Sequence, residues 1–197
     1  MAYQTMQDRA VAVPVHRHSD PQSDQKLGEL ILYIALACQH HNKFGAIKLN
    51  KILFFSDFIS YLRHGQPITG AQYMRKHAGP VPVRLVPVRE NLERSRSIAV
   101  VHRRMMPFVQ HRIVALREPD WSLFRPEQIA LVDWVVNSLK VFSADAVSRL
   151  SHQKAWQIAR DGEIIPYSAV LLSDERVMDQ DILEAHELIE KYGWRDV

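Results

Sequence analysis

The sequence predicts a mainly α-helical α+β fold, a compact helical domain carrying a small antiparallel β-hairpin or sheet. Three observations predict it. Apolar residues recur every three or four positions through several stretches, the spacing of an amphipathic helix. Two short runs rich in Val and Ile, 98–103 and 111–116, flank Pro107 in the pattern of a hairpin. The composition, 47% apolar and 24% charged over 197 residues, is that of a globular chain long enough to bury a core without disulfide or metal staples.

Residues 1–22 read as a flexible tail, because Pro14 and Pro21 deny the apolar run 10–15 a regular structure. Residues 23–197 read as a single domain. A first helix is expected over 24–41, with Ser23 as its N-cap and a stripe of Leu27, Leu30, Ile31, Ile34 and Cys38. A second, over 47–63, uses Leu49, Ile52, Leu53, Phe55, Ile59 and Leu62. It closes at Gly65, which suits the left-handed position after a helix end. Residues 67–79 are turn-rich, with a short helix or strand over 71–76. Residues 83–94 look helical, with Pro87 expected to kink or delay the helix.

The hairpin of 98–103 and 111–116 is expected to carry a long loop. Pro126 suits the first turn of a helix reaching about residue 140 on Ile129, Val132, Val136 and Leu139. Ser143 caps a next helix through Ala146 and Leu150, with Trp156 on or beside its end. Residues 164–172 form an apolar connection restrained by Pro166, and a last helix is expected over 179–192.

Charge is divided along the chain. Residues 26–117 hold 15 Lys and Arg against 4 Asp and Glu, a net +11, whereas 118–197 hold 8 against 15, a net −7. The overall +3 therefore conceals a bipolar chain. Eight arginines and no lysine lie between Arg84 and Arg117, a composition suited to bidentate recognition of carboxylate or phosphate. Arg84, Arg89, Arg94, Arg96, Arg103 and Arg104 are accordingly candidates for contact with a partner. That partner could be an acidic protein, a nucleic acid, or the acidic half of the same or another chain.

Catalytic and cofactor signatures are not found. Ten His and one Cys show no CxxC and no HExxH spacing, so no metal is expected. Seven Gly form neither GxGxxG nor a Walker motif, and no Ser sits in GxSxG. No cofactor is expected. Cys38 lies on an apolar helix face as an inert thiol and leaves no intramolecular disulfide, which fits the reducing cytoplasm. The uncharged stretch 30–42 is too short to cross a bilayer, and the first residues lack the basic start of a signal peptide.

Three blocks carry more specific information. The first is Lys48-Leu49-Asn50-Lys51-Ile52-Leu53-Phe54-Phe55. The second is Tyr73-Met74-Arg75-Lys76-His77-Ala78-Gly79-Pro80-Val81. The third is Ser151-His152-Gln153-Lys154-Ala155-Trp156, followed by Gly162, Ile165, Pro166 and Tyr167. In this order they resemble the Panacea domain, the antitoxin domain of the SocA type, over about residues 26–175. Phe54 stands where the family pattern has Tyr, one extra residue separates Tyr73 from Gly79, and Pro87 interrupts the helix after the turn.

The resemblance implies a helical antitoxin, without enzymatic activity, that neutralises a cognate toxin by direct binding. It acts either by occlusion or as an adaptor to protease machinery, and is found in phage-associated and mobile-element settings. Tyr73, Gly79, Pro80, Val81, Ser151, His152 and Trp156 then read as structural motif residues. Lys48 and Lys51 read as partner contacts or as surface lysines whose stems cover the core. Two other classes stay open. One is a nucleic-acid-binding regulator using the arginines of 84–117. The other is a small hydrolase or transferase using Asp57, His77 and His152, which requires those side chains to converge in one pocket. A homo-oligomer also stays open.

Overall fold

The computed structural model describes residues 21–105, 108–152 and 154–172. Residues 1–20 of the expected tail and the expected helix over 179–192 lie outside the described residues.

Helix α1 (Pro21–Ala37) starts three residues earlier than the sequence suggests, so Pro21 and Gln22 belong to the domain. Ser23 sits inside the first turn rather than capping it. Pro21 suits that first turn because its missing N–H has no helical acceptor there. Nine consecutive residues of α1, Leu27 to Ala35, are buried. A helix covered on every side is a core helix, and α1 packs against α2, α3, α4 and β4.

Helix α2 (Ala46–His64) ends at Gly65, whose φ of 70° is the left-handed cap expected there. Helix α3 (Leu85–Arg94) begins two residues later than expected, the delay foreseen for Pro87. Pro87 then lies in the first turn, where no intrahelical bond is lost. The end of α3 is a Schellman motif: Ser97 N–H donates to the Leu92 carbonyl at 2.8 Å and Arg96 N–H to that of Glu93 at 3.0 Å. Arg96 takes the left-handed position, φ 54°, usually given to glycine.

Strands β3 (Ile98–Met105) and β4 (Phe108–Ala115) form the hairpin. The expected long loop is corrected. The ladder continues from Ile98↔Ala115 to Met105↔Phe108, so two residues separate the strands. The polar residues 102–104 are strand after all, because on a hairpin that projects from the core both faces can meet water.

A second sheet has order β2-β1-β5, from β1 (Tyr73–Met74), β2 (Val81–Pro82) and β5 (Ile164–Ile165). The 164–172 segment is thus a strand and a 3₁₀ turn (Tyr167–Leu171) rather than a mere connection. Helices α4 (Pro126–Leu139), α5 (Ala144–Leu150) and α6 (Lys154–Gln157) complete the domain, with Ser143 Oγ capping α5 through Ala146 N–H at 3.2 Å. The fold is α+β, with two small antiparallel sheets on a helical core, and not all-α.

Candidate functional site: a motif core and a basic hairpin

The three sequence blocks meet in space. Helix α2 carries Lys51 and Asp57 on its buried side, each with at most 1% of its surface exposed. The turn between β1 and β2 brings Gly79 and Pro80 onto Lys51, whose Nζ donates to the Pro80 carbonyl at 3.3 Å. Gly79 has φ +100°, and a Cβ there would stand 2.5 Å from both Lys51 Nζ and Ser151 Oγ. The position therefore admits glycine for two separate reasons, backbone conformation and space.

Ser151, fully buried at the end of α5, donates its hydroxyl to the Ser148 carbonyl at 2.7 Å. Ser148 in turn donates to the Ala78 carbonyl at 2.6 Å, which fastens α5 to the turn. Trp156 Nε1 donates to the Lys76 carbonyl at 3.2 Å. Its ring stacks with His152, centroids 4.0 Å apart, and lies under the Arg75 guanidinium at 3.8 Å.

Asp57 anchors the other side of the same turn. It accepts from Thr69 N–H at 2.7 Å, from the Thr69 hydroxyl, and from Tyr73 Oη–H at 2.8 Å. Burial raises its carboxyl above the ordinary carboxylate range, and these hydrogen bonds oppose the rise. Tyr73 is itself 1% exposed and packs edge-on to Phe54 and Phe58. Phe54, which replaces the family tyrosine, fills an apolar aromatic cluster in which an extra hydroxyl would need a partner of its own.

Lys51 is the unusual member. Burial lowers its ammonium to about 8, and no carboxylate pairs with it among the described residues. His152 is lowered too, by burial and then by the positive charges of Lys51, Arg75 and His77. Its Nε2 is buried without a hydrogen-bond partner among the described residues. Lys48, on the same helix, is 2% exposed and donates to the Lys140 carbonyl at 3.0 Å. The reading of Lys48 and Lys51 as exposed partner contacts or surface lysines is therefore corrected. Both ammonium groups hold carbonyls inside the fold, because loops from elsewhere in the chain close over them.

The family model described as antitoxin SocA-like, Panacea domain, matches residues 49–157. The chain belongs to this family. No curated protein and no solved structure matches it. The match ends at Trp156 and its neighbour, the side chain that ties the third block to the second.

In this Panacea domain Tyr73, Gly79, Pro80 and Ser151 are buried while Val81, His152 and Trp156 are half-buried, and the arginines divide into tied and open groups. Arg84 pairs with Asp24 at 2.8 Å. Arg117 grips Glu29 through two bonds of 2.6 and 2.8 Å, and that ion pair holds the Glu29 carboxyl below its ordinary range. Arg112, 6% exposed, donates to the carbonyls of Cys38, Gln39 and His41 and so caps the end of α1. Arg94 donates to Asn91 at 2.8 Å, and the half-buried Arg89 has its Nε without a partner among the described residues. Arg96, Arg103 and Arg104 are exposed, with no acidic partner among the described residues.

None of the described ion pairs joins 84–117 to the acidic half. Asp24 and Glu29 of α1 do that neutralising instead. Arg112 and Arg117 are roles that periodicity does not reveal, although the run of arginines flagged the region. The trio Asp57, His77 and His152 does not form a common pocket: Asp57 is sealed against Thr69 and Tyr73, while His77 is exposed. Among the described residues no helix is long and apolar enough to cross a membrane.

Proposed function

We propose that the chain is a cytoplasmic antitoxin that neutralises a cognate toxin by direct protein contact and catalyses no reaction. Membership of the SocA-like Panacea family carries this reading. The geometry supports it, since the motif residues are spent on holding one turn between α2, α5 and α6 and the open surface is left for a partner. Neutralisation proceeds by occlusion of the toxin or by its delivery to a protease.

The test is co-expression with the protein encoded by the adjacent reading frame. The expected result is growth arrest by that neighbour alone, rescue by this chain, and a complex that survives size exclusion. A neighbour that is harmless alone, or that stays toxic with no complex formed, refutes the reading.

A second reading, a nucleic-acid-binding regulator, draws on the exposed Arg96, Arg103 and Arg104. It predicts duplex binding that weakens steeply with salt. An anisotropy titration that stays flat at low salt removes it.

A further inference from the structure

Among the described residues the β3–β4 hairpin is a two-stranded sheet, so one side of each strand has no strand partner there. Which backbone groups are left open follows from the register. Leu116 N–H donates to the Ser97 carbonyl at 2.9 Å, and the ladder pairs Ile98↔Ala115, Ala99↔Val114 and onward without a bulge. Alternation then directs the N–H and C=O of Ala99, Val101 and Arg103 toward β4 and those of Val100, His102 and Arg104 away from it.

The outer side of β4 runs close to the α1–α2 loop: a Cβ on Gly45 would lie 3.3 Å from the His111 carbonyl, and Gln110 Nε2 donates to the Asn42 carbonyl at 3.1 Å. Among the described residues, β3 packs chiefly against β4 and, at the base of the hairpin, against α3. Beyond that base, no strand pairs with the outer edge of β3 among the described residues.

The surface beside this edge is basic and partly apolar. A groove of about 250 Å³ lies between the end of α1 and the hairpin, lined by Ala35, Gln39, Val101, Arg103, Arg112 and Val114. Among the described residues its lining holds no carboxylate, and of its two guanidinium groups Arg103 is exposed while Arg112 is tied to the end of α1. On β3 itself Val101 is 42% exposed, and His102, Arg103 and Arg104 are exposed beside it. An exposed edge of this length with apolar residues beside it is a site for strand addition.

We propose that the β3 edge and its groove take up an extended acidic segment of the toxin as a third, added strand. The inference rests on the antitoxin reading and assigns it a surface. The segment's backbone meets the open groups of Val100, His102 and Arg104. Its Asp or Glu side chains meet Arg103 and Arg104, and its apolar side chains lie on Val101. A protein strand fits better than a nucleic acid here. The open edge offers donors and acceptors in alternation, and a phosphodiester backbone has acceptors only, which would leave the outward carbonyls unpaired.

The test uses the full chain and the purified toxin encoded beside it. His102→Pro removes one outward N–H while keeping every β3–β4 ladder bond, because proline is tolerated at such an edge position. His102→Ala removes the imidazole and keeps the N–H. R103E with R104E reverses the charge. His102→Pro and the charge reversal should each weaken toxin binding by about tenfold or more, with His102→Ala close to wild type. The wild-type complex should protect the amides of Val100, His102 and Arg104 from hydrogen exchange.

Circular dichroism and thermal melting confirm that the variants fold. Folded variants that bind the toxin like wild type overturn the proposed surface while leaving the antitoxin reading intact. A wild-type chain that neither binds nor neutralises the toxin overturns both. Salt-sensitive binding of a labelled DNA duplex, lost on R103E/R104E while toxin binding persists, assigns the face to nucleic acid and also overturns the proposal.

Discussion

Gly79→Ala is the sharpest probe of the motif core, because two costs fall on a single methyl group. The first is conformational: φ +100° lies where an L-residue with a Cβ is strained by about 1–2 kcal/mol. The second is steric. The new carbon would stand 2.5 Å from Lys51 Nζ, 2.5 Å from Ser151 Oγ and 2.8 Å from Lys51 Cε. Those atoms belong to buried side chains already committed to the Pro80 and Ser148 carbonyls, so moving them breaks a hydrogen bond or displaces the turn. Crowding of this kind adds about 1–3 kcal/mol. The expected loss is about 2–5 kcal/mol in urea-unfolding stability with an unchanged m-value.

Gly65→Ala supplies the control. Gly65 is also left-handed, at φ +70°, but a Cβ there has nothing within 4 Å. It should lose the conformational part alone, about 1–2 kcal/mol. Equal losses at the two glycines would refute the claim that Lys51 and Ser151 press on the turn.

Two further outcomes test the rest of the core and the end of α3. Lys51 titrates near 8 when folded against an ordinary 10.5, so the unfolded chain holds the proton more tightly between those values. The cost of burying its charge is full below pH 8 and fades as pH rises to 10.5. Relative to Lys51→Met, wild type should therefore gain about 3 kcal/mol over that window, read from paired urea curves, and parallel pH profiles would contradict the burial assignment. Arg96→Gly relieves a left-handed arginine at the Schellman position and should raise thermal stability by about 1 kcal/mol, with a loss instead showing that the Arg96 side chain has a contact worth more than the strain.

Local chemistry made much of the fold legible. Helix α2 and its Gly65 cap, the Pro126 start of α4 and the Ser143 cap of α5 all appear where residue type and spacing place them. Such signals act over a few residues, so a linear reading captures them. The first-turn position of Pro21 was available by the same logic but was masked by the more obvious capping residue Ser23. The Val- and Ile-rich runs locate the hairpin but not its length, since residues 102–104 carry none of the apolar alternation that marks a half-buried strand.

The candidate site divides in the same way. Order and spacing of the three blocks were enough to suggest the family, because each block alone is weak and only the ordered set is specific. What these residues do was decided only by the tertiary structure. Lysine on a helix next to apolar neighbours has the same local signature whether its ammonium reaches water or a buried carbonyl. Only the closure of the Gly79-Pro80 turn, 28 residues or more away along the chain, makes Lys51 an internal donor.

Arginines obey the same limit. The run between Arg84 and Arg117 announces a basic segment, but Asp24 and Glu29 on α1 tie two of them and the end of α1 engages Arg112. Arg103 and Arg104, both on β3, are exposed and have no acidic partner among the described residues. Charge and helical spacing are properties of neighbouring residues and are determined by the sequence itself. Burial and pairing depend on which distant segments arrive at the same place, and that is settled only when the chain folds.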